Sequence, residues 1–176
     1  MLRIERFEQD IPVADYLEGY VAVEEFLEYC KACPNYSSVW ACPPYDFDVT
    51  GFWNRYSRLT VYARKIYFAP ETTEAESLQI MEDVKAEMSQ ELFALEETNP
   101  GTLSLSAGSC TLCGKGNCTR PEGKPCRHPE KLRYSIESLG GNVGLTCRKL
   151  MGIRLEWMEE GKVPPYFVLC AGLLWP

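Results

Sequence analysis

The chain of 176 residues has the length of a single domain, expected over residues 1–176, and its 45% hydrophobic content is enough for a buried core. Its 25 acidic and 18 basic side chains give a formal net charge of −7. This balance argues against a general nucleic-acid-binding protein, which needs a basic face to displace counterions from phosphates. No apolar run approaches the roughly 20 residues that span a bilayer, and no signal peptide is expected.

The first half of the chain is predicted to contain helices and one strand. Apolar residues at helical spacing in 11–29 predict one or two short helices that lead to Cys30. The stretch 33–53 is rich in Pro, Asn, Asp and aromatic residues and is expected to be an ordered loop. Residues 58–68 are β-branched and aromatic, which predicts a strand.

A long helix is predicted next, beginning within Glu71–Glu74 and running to about Glu97. The threonines at its start are candidate caps, and the Asn-Pro-Gly sequence that follows is a stop signal. Its apolar residues recur at spacings of three and four, so we expect them to face the core: Leu78, Met81, Val84, Met88, Leu92 and Leu95.

The second half is predicted to alternate strands and short helices. A strand is expected at 102–107, a helix from His128 to Leu139, and another helix over Val143–Leu150. Residues 153–158 and 166–175 are expected to form an antiparallel hairpin. These elements predict an α+β fold, in which a small antiparallel sheet of three to five strands packs with one long helix and several short helices.

Seven of the nine cysteines fall into two tight groups, one in residues 30–44 and one in residues 110–128. We expect both segments to be metal-binding loops, because clustered thiolates favour zinc or iron–sulfur chemistry. The chain is expected to be cytoplasmic, where thiols stay reduced and clustered cysteines bind metal more often than they form disulfides. The candidate ligands are Cys30, Cys33 and Cys42 in the first group, and Cys110, Cys113, Cys118 and Cys126 in the second.

The second group supplies four thiolates within seventeen residues, enough to close a tetrahedral site or to ligate a cubane cluster. The spacing of its first three cysteines resembles a zinc knuckle, but that motif has a histidine where this chain has Cys118. Gly114 and Gly116 allow the tight turns that wrap a metal and leave backbone amides free to donate to sulfur. We favour an iron–sulfur cluster of the 4Fe–4S type over zinc.

The first group supplies three thiolates, which leaves the fourth ligand open. It could come from Cys147 or Cys170, although each of these lies among apolar residues and is expected to be a buried core thiol. Alternatively, the position could be open to solvent or substrate, as in a catalytic metal site, or a cysteine of the second group could cross over. Proline directly follows Cys33 and Cys42, as it does in some iron–sulfur ligand runs.

Basic residues crowd the second cysteine group, where only Glu122 and Glu130 oppose them. Such charges could form a solvated face, or a positive rim that stabilises an anionic cluster or attracts an anionic partner. The lone histidine, His128, could cap a helix, bind the metal or donate a proton. The six basic residues are Lys115, Arg120, Lys124, Arg127, Lys131 and Arg133.

Three strings of the sequence together resemble a known family. Cys-x-x-Cys-Pro-Asn-Tyr and Trp-x-Cys-Pro-Pro lie in 30–44, and Ser-Cys-Thr-Leu-Cys occupies 109–113. Pro-Cys-Arg-His-Pro-Glu-Lys, with the Arg, Ser, Glu, Gly and Val that follow it, occupies 125–143. The chain resembles the predicted metal-binding proteins of domain-of-unknown-function family 2284. This resemblance implies a prokaryotic cytoplasmic protein, typical of anaerobes, that binds iron–sulfur clusters or another metal through these cysteines. It implies no particular reaction.

Three functions remain open at this point. The first is an iron–sulfur protein with one or two clusters, acting in electron transfer or as a redox accessory protein with a protein redox partner. The second is a metalloenzyme with an open metal position at the three-cysteine site. The third is a zinc-stabilised binding module, whose metal affinity would contribute to folding. None of these functions requires a membrane.

Overall fold

The computed structural model describes residues 2–176, and four strands in it form one antiparallel sheet. The order across the sheet is β1-β2-β4-β3. β1 pairs with β2 from Arg3 opposite Tyr67 to Pro12 opposite Arg58, and β2 pairs with β4 along its whole length. The α+β fold with a small antiparallel sheet is therefore confirmed. The strands are β1 (Arg3–Pro12), β2 (Arg58–Tyr67), β3 (Leu103–Leu105) and β4 (Tyr166–Trp175).

Five α-helices accompany the sheet, and the longest is the predicted one. It begins at a capping box, in which the Thr73 hydroxyl accepts from the amide of Glu76 and the Glu76 carboxylate accepts from the amide of Thr73. No helix within residues 2–176 is both long enough and apolar enough to cross a membrane. The helices are α1 (Val13–Tyr20), α2 (Val23–Lys31), α3 (Val49–Trp53), α4 (Glu74–Thr98) and α5 (Val143–Met151), with 3₁₀ turns at Arg120–Glu122 and Glu137–Leu139.

The sheet lies between two helical layers. On one face, Val84, Met88 and Leu92 of α4 pack against β2 and β4. On the other face, α1, α3 and α5 cover the sheet and bury Tyr16 and Trp53 completely. β4 is apolar along most of its length because both of its faces are covered. The predicted stripe of α4 is largely buried, except that Leu78 is 48% exposed.

No strand is predicted from the sequence before residue 11, yet β1 occupies most of this region. Five of its ten side chains are charged, and only Ile11 is buried. β1 is the edge strand, so it needs only one partner and can carry charges that discourage pairing with another chain. Its formation depends on β2, which is about fifty residues away in sequence, rather than on its own hydrophobic pattern.

The prediction of a helix over His128–Leu139 is wrong. The segment forms a turn, an extended stretch and then the 3₁₀ turn at Glu137–Leu139. The amide of Ser106 donates to the carbonyl of Tyr134 at 2.8 Å, and Ser106 bridges Ser135 in parallel. The carbonyl of Tyr134 therefore accepts a hydrogen bond from the residue after β3, instead of from an amide within a helix.

The predicted strand at 153–158 is also wrong, because this segment has no regular secondary structure and joins no sheet. Ile153 is buried in the core and Leu155 packs against it, so their alternation reflects burial rather than strand pairing. The Tyr166 hydroxyl donates to the carbonyl of Arg154 at 2.6 Å and holds the segment near β4. The expected loop at 33–53 is mostly turns, but it ends in α3, which Asp48 caps through the amide of Gly51.

Candidate metal centre

The first cysteine group lies at the end of α2 and in the turns that follow. Cys30 is in the last turn of α2, and the amide of Cys33 donates back to its carbonyl at 3.0 Å. Cys33 is exposed, Cys30 is half-buried and Cys42 is buried. Burial, and then the neighbouring thiols of Cys33 and Cys30, raise the pKa of Cys42 to about 11. These three thiols are therefore close enough to interact electrostatically.

The second group lies in a long segment of turns that follows β3. This segment includes the 3₁₀ turn at Arg120–Glu122 and continues past it. Gly114 has a φ of 84°, a left-handed conformation that lets its amide donate to the carbonyl of Thr111 at 3.0 Å. Burial raises the pKa of Cys110, and the other three thiols of the group raise it further. All four cysteines line one cavity of about 870 Å³: Cys110, Cys113, Cys118 and Cys126.

The same cavity is bounded by the first cysteine segment and by α4. Residues 38–41 line it, as do Lys85 of α4 and His128. The ammonium of Lys85 donates to the carbonyl of Ser109, next to Cys110, at 2.5 Å. The backbone amide of His128 points to the sulfur of Cys126 at 3.4 Å, which is the kind of amide–sulfur contact that supports a thiolate.

Two side chains tie the cysteine segments to each other. The indole nitrogen of Trp40 donates to the Thr119 hydroxyl at 3.2 Å and to the carbonyl of Lys124 at 3.0 Å. The guanidinium of Arg120 donates to the carbonyls of Val39 at 2.8 Å, of Pro44 at 2.5 Å, and of Cys42. Arg120 also lies over the Trp40 ring, 5.2 Å from its centre. The two groups thus belong to one joined region.

The structure brings the cysteines into one region but not into a closed ligand set. Within residues 2–176, no three side chains of the His, Cys, Asp and Glu types are placed so that they could hold one metal ion together. The nine cysteines are free thiols. Cys30, Cys33 and Cys42 do not line the 870 Å³ cavity. The assignment of the seven cysteines as ligands stays a prediction, and metal binding would require the thiols of a group to move closer together.

The two remaining cysteines lie in the core. Cys147 of α5 is 0% exposed and Cys170 of β4 is 4% exposed. A hydrogen bond with Cys147, together with burial, raises the pKa of Cys170. This placement matches the expectation that both are buried core thiols.

Most of the basic residues near the second group are engaged inside the protein. Arg120 and Arg127 donate to backbone carbonyls, and Lys124 pairs with Glu122 at 2.6 Å. Arg133 pairs with Glu96 of α4 at 2.6 Å, and both side chains are only 14% exposed. Lys115 and Lys131 form no ion pair with residues 2–176. Four of the six basic residues therefore have no carboxylate partner within residues 2–176.

One residue of the region, Lys85, was not among the residues predicted from the sequence. Lys85 lies four residues after Met81 and three before Met88, so it interrupts the apolar stripe of α4. A lone lysine at a core-facing position is a signal that it faces a cavity or a partner. Arg120 was predicted only as one of six basic residues near the second group, and nothing in the local sequence indicates that it joins the two cysteine segments.

Comparison with known proteins adds one finding. No match was found among curated proteins, and none among solved structures. A family model described as "Predicted metal-binding protein (DUF2284)" matches residues 17–174, which include both cysteine groups and the 870 Å³ cavity. The chain belongs to this family of predicted metal-binding proteins.

Proposed function

We propose that this metal-binding protein holds an iron–sulfur cluster through its cysteines and acts in electron transfer or as a redox accessory protein. The observation that carries the proposal is the shared cavity of Cys110, Cys113, Cys118 and Cys126. Four soft thiolates around one space are the ligands that a 4Fe–4S cluster requires. The first group, with Cys30, Cys33 and Cys42, would hold a second metal.

The cavity has room for a cluster as well as for a single ion. Zinc binds thiolates at about 2.3 Å, so a closed zinc site is compact and leaves little internal space. The cavity of about 870 Å³ is much larger than either a zinc site or a cluster, so its volume does not distinguish the two. Trp40 and the aliphatic part of Lys85 form part of its wall and would limit the access of water to a cluster.

Exposed apolar side chains beside both cysteine groups support docking to a protein redox partner. Tyr29, next to Cys30, is 64% exposed, and Leu112, between Cys110 and Cys113, is 43% exposed. Exposed apolar groups next to a redox centre provide a contact surface for a transient partner.

A metalloenzyme is the second candidate. The cavity that the four cysteines line is wide enough for a small substrate beside a metal, and Lys85 and His128 supply polar groups in its wall. Under this alternative a metal with an open position, held by Cys30, Cys33 and Cys42, would act as a Lewis acid or bind the substrate. These three cysteines do not line the cavity, so a substrate in it would reach that metal only past residues 38–41, which do line it.

The test is the iron, sulfide and zinc content of protein purified without oxygen, together with its visible spectrum. We expect about four irons and four sulfides per cluster and a brown protein that is reversibly reduced. One or two zinc ions in a colourless protein would overturn the proposal and leave a zinc-stabilised module. An iron spectrum that shifts when small ligands are added would favour the enzyme.

A further inference from the structure

A second cavity, of about 430 Å³, lies between α4, the start of α5 and β4. None of the seven cysteines of the two groups lines it. Its volume falls in the range of small-molecule sites, which are mostly apolar and carry a few polar groups. Its apolar wall includes Phe26, Met81, Leu155, Trp157, Phe167 and Leu169.

The polar group that distinguishes this cavity is the carboxyl of Glu137. Although the residue as a whole is partly exposed, its carboxyl is enclosed by the protein, and burial raises its pKa. The oxygen Oε2 has no accessible surface and no hydrogen-bond partner within residues 2–176. Buried polar atoms are nearly always paired, so this oxygen lacks a donor that a ligand could supply.

The charges around the cavity favour a cation. Glu82 and Glu137 line it, and Lys85 is the basic residue of its wall. The ammonium of Lys85 already donates to the carbonyl of Ser109 at 2.5 Å. The cavity therefore holds two carboxyl groups against the one ammonium group of Lys85.

Aromatic rings line the same space. Phe26, Trp157 and Phe167 contribute to the wall, and aromatic faces attract organic cations. Trp157 is 69% exposed, the largest exposed fraction among the large hydrophobic side chains of the described chain. A ligand in the cavity would cover part of its ring.

We propose that this cavity binds a small organic amine in its protonated form. Its N–H donates to Oε2 of Glu137 once that carboxyl turns toward the cavity, and its apolar body packs against Phe26, Trp157 and Phe167. The site lies beside the cysteine cavity and shares the wall at Lys85 with it. It does not depend on which metal the cysteines hold.

Calorimetric titration of the full-length, metal-loaded protein tests the proposal. The probes are 2-phenylethylamine, benzylamine and tyramine, with 2-phenylethanol and phenylacetate as the neutral and anionic counterparts. We expect at least one amine to bind, and 2-phenylethanol and phenylacetate to bind at least tenfold more weakly. No binding of the three amines, or equal binding of the alcohol, would overturn the proposal.

Variants locate the binding. Glu137→Gln should weaken binding of the amine at least tenfold without a change in metal content. Glu8→Gln, on the exposed edge strand, should leave the binding unchanged. Because Glu137→Gln could disturb folding, Trp157→Ala provides a second test at an exposed position. Trp157→Ala should also weaken binding of the amine at least tenfold. Leu78→Ala, which changes an exposed apolar residue outside the cavity, should leave the binding unchanged. Unchanged binding in Trp157→Ala and Glu137→Gln would place the amine elsewhere and overturn the proposal.

Discussion

Individual cysteines in this chain have very different surroundings, and their substitution should separate ligands from core residues. Cys113 lines the 870 Å³ cavity, whereas Cys170 is 4% exposed and lies in the core. We expect Cys113→Ser to remove the metal of the second group, because a hydroxyl replaces a soft thiolate of similar size. Cys170→Ala should leave the metal content unchanged. Elemental analysis of protein purified without oxygen measures both.

The same two variants can contradict the separation into two independent groups. If Cys113→Ser removes all metal, the two groups share ligands across the link formed by Trp40 and Arg120. If the Cys170→Ala variant loses metal, Cys170 is the missing fourth ligand of the first group. It would then be a buried ligand and not a thiol that only fills the core.

Glu96 joins three elements. Its carboxylate accepts from Arg133 at 2.9 and 2.6 Å and from the amide of Ser104 in β3 at 2.6 Å. It thereby links α4 to β3 and to the segment that follows Cys126. We expect Glu96→Gln to lower the free energy of unfolding by about 1–3 kcal/mol at pH 7, because hydrogen bonds to a charged group are replaced by weaker ones.

The pH dependence of that loss has a definite sign. Burial alone would raise the pKa of Glu96, but the hydrogen bonds from Arg133 and Ser104 outweigh it and lower the pKa. The stabilisation is therefore present above the unfolded-state pKa of about 4.3 and is lost as the pH falls through the lowered folded value. Urea unfolding should show a difference between wild type and Glu96→Gln that shrinks below about pH 4. The exposed neighbour Glu97→Gln is the control, and an equal loss there would contradict the role of Glu96.

Over the whole molecule, stability should be divided between the sheet and the cysteine region. Between residues 108 and 128, Thr119 is the one buried residue, and regular structure is limited to a 3₁₀ turn. In contrast, β2 and β4 are buried along most of their length. Local stability follows such differences in burial, and metal binding adds folding energy where the ligands lie.

Metal removal should therefore open one region only. After treatment with a chelator, we expect amide hydrogen exchange to accelerate in 33–44 and 108–128 while β2 and β4 stay protected. Exchange that accelerates throughout the chain would instead make the metal a requirement of the entire fold. Unchanged exchange in both cysteine segments would show that they hold no metal.

Features that depend on local pattern could be predicted from the sequence. The helix α4, the strands β2 and β4, and the helix α5 each carry their own periodicity and end signals. The grouping of the cysteines is also local, because the spacings of two residues in Cys30–Cys33 and Cys110–Cys113 are visible in the chain. Local sequence pattern does not predict β1, because its charged residues form a strand only where β2 lies beside them.

The remaining features depend on groups that are far apart in sequence. Trp40 and Thr119 are 79 residues apart, and Arg120 reaches carbonyls 76 to 81 residues away. The pairing of Ser106 with Tyr134 replaces the helix that the local sequence favours.

The sequence by itself determined the fold class and the two cysteine groups, because spacing and periodicity act within a few residues. Only the tertiary structure decided that four cysteines share a cavity with Lys85, and that Glu137 is enclosed without a partner for Oε2 within residues 2–176. Contacts of this kind form when distant segments close on one another, and no local pattern records which segments will meet.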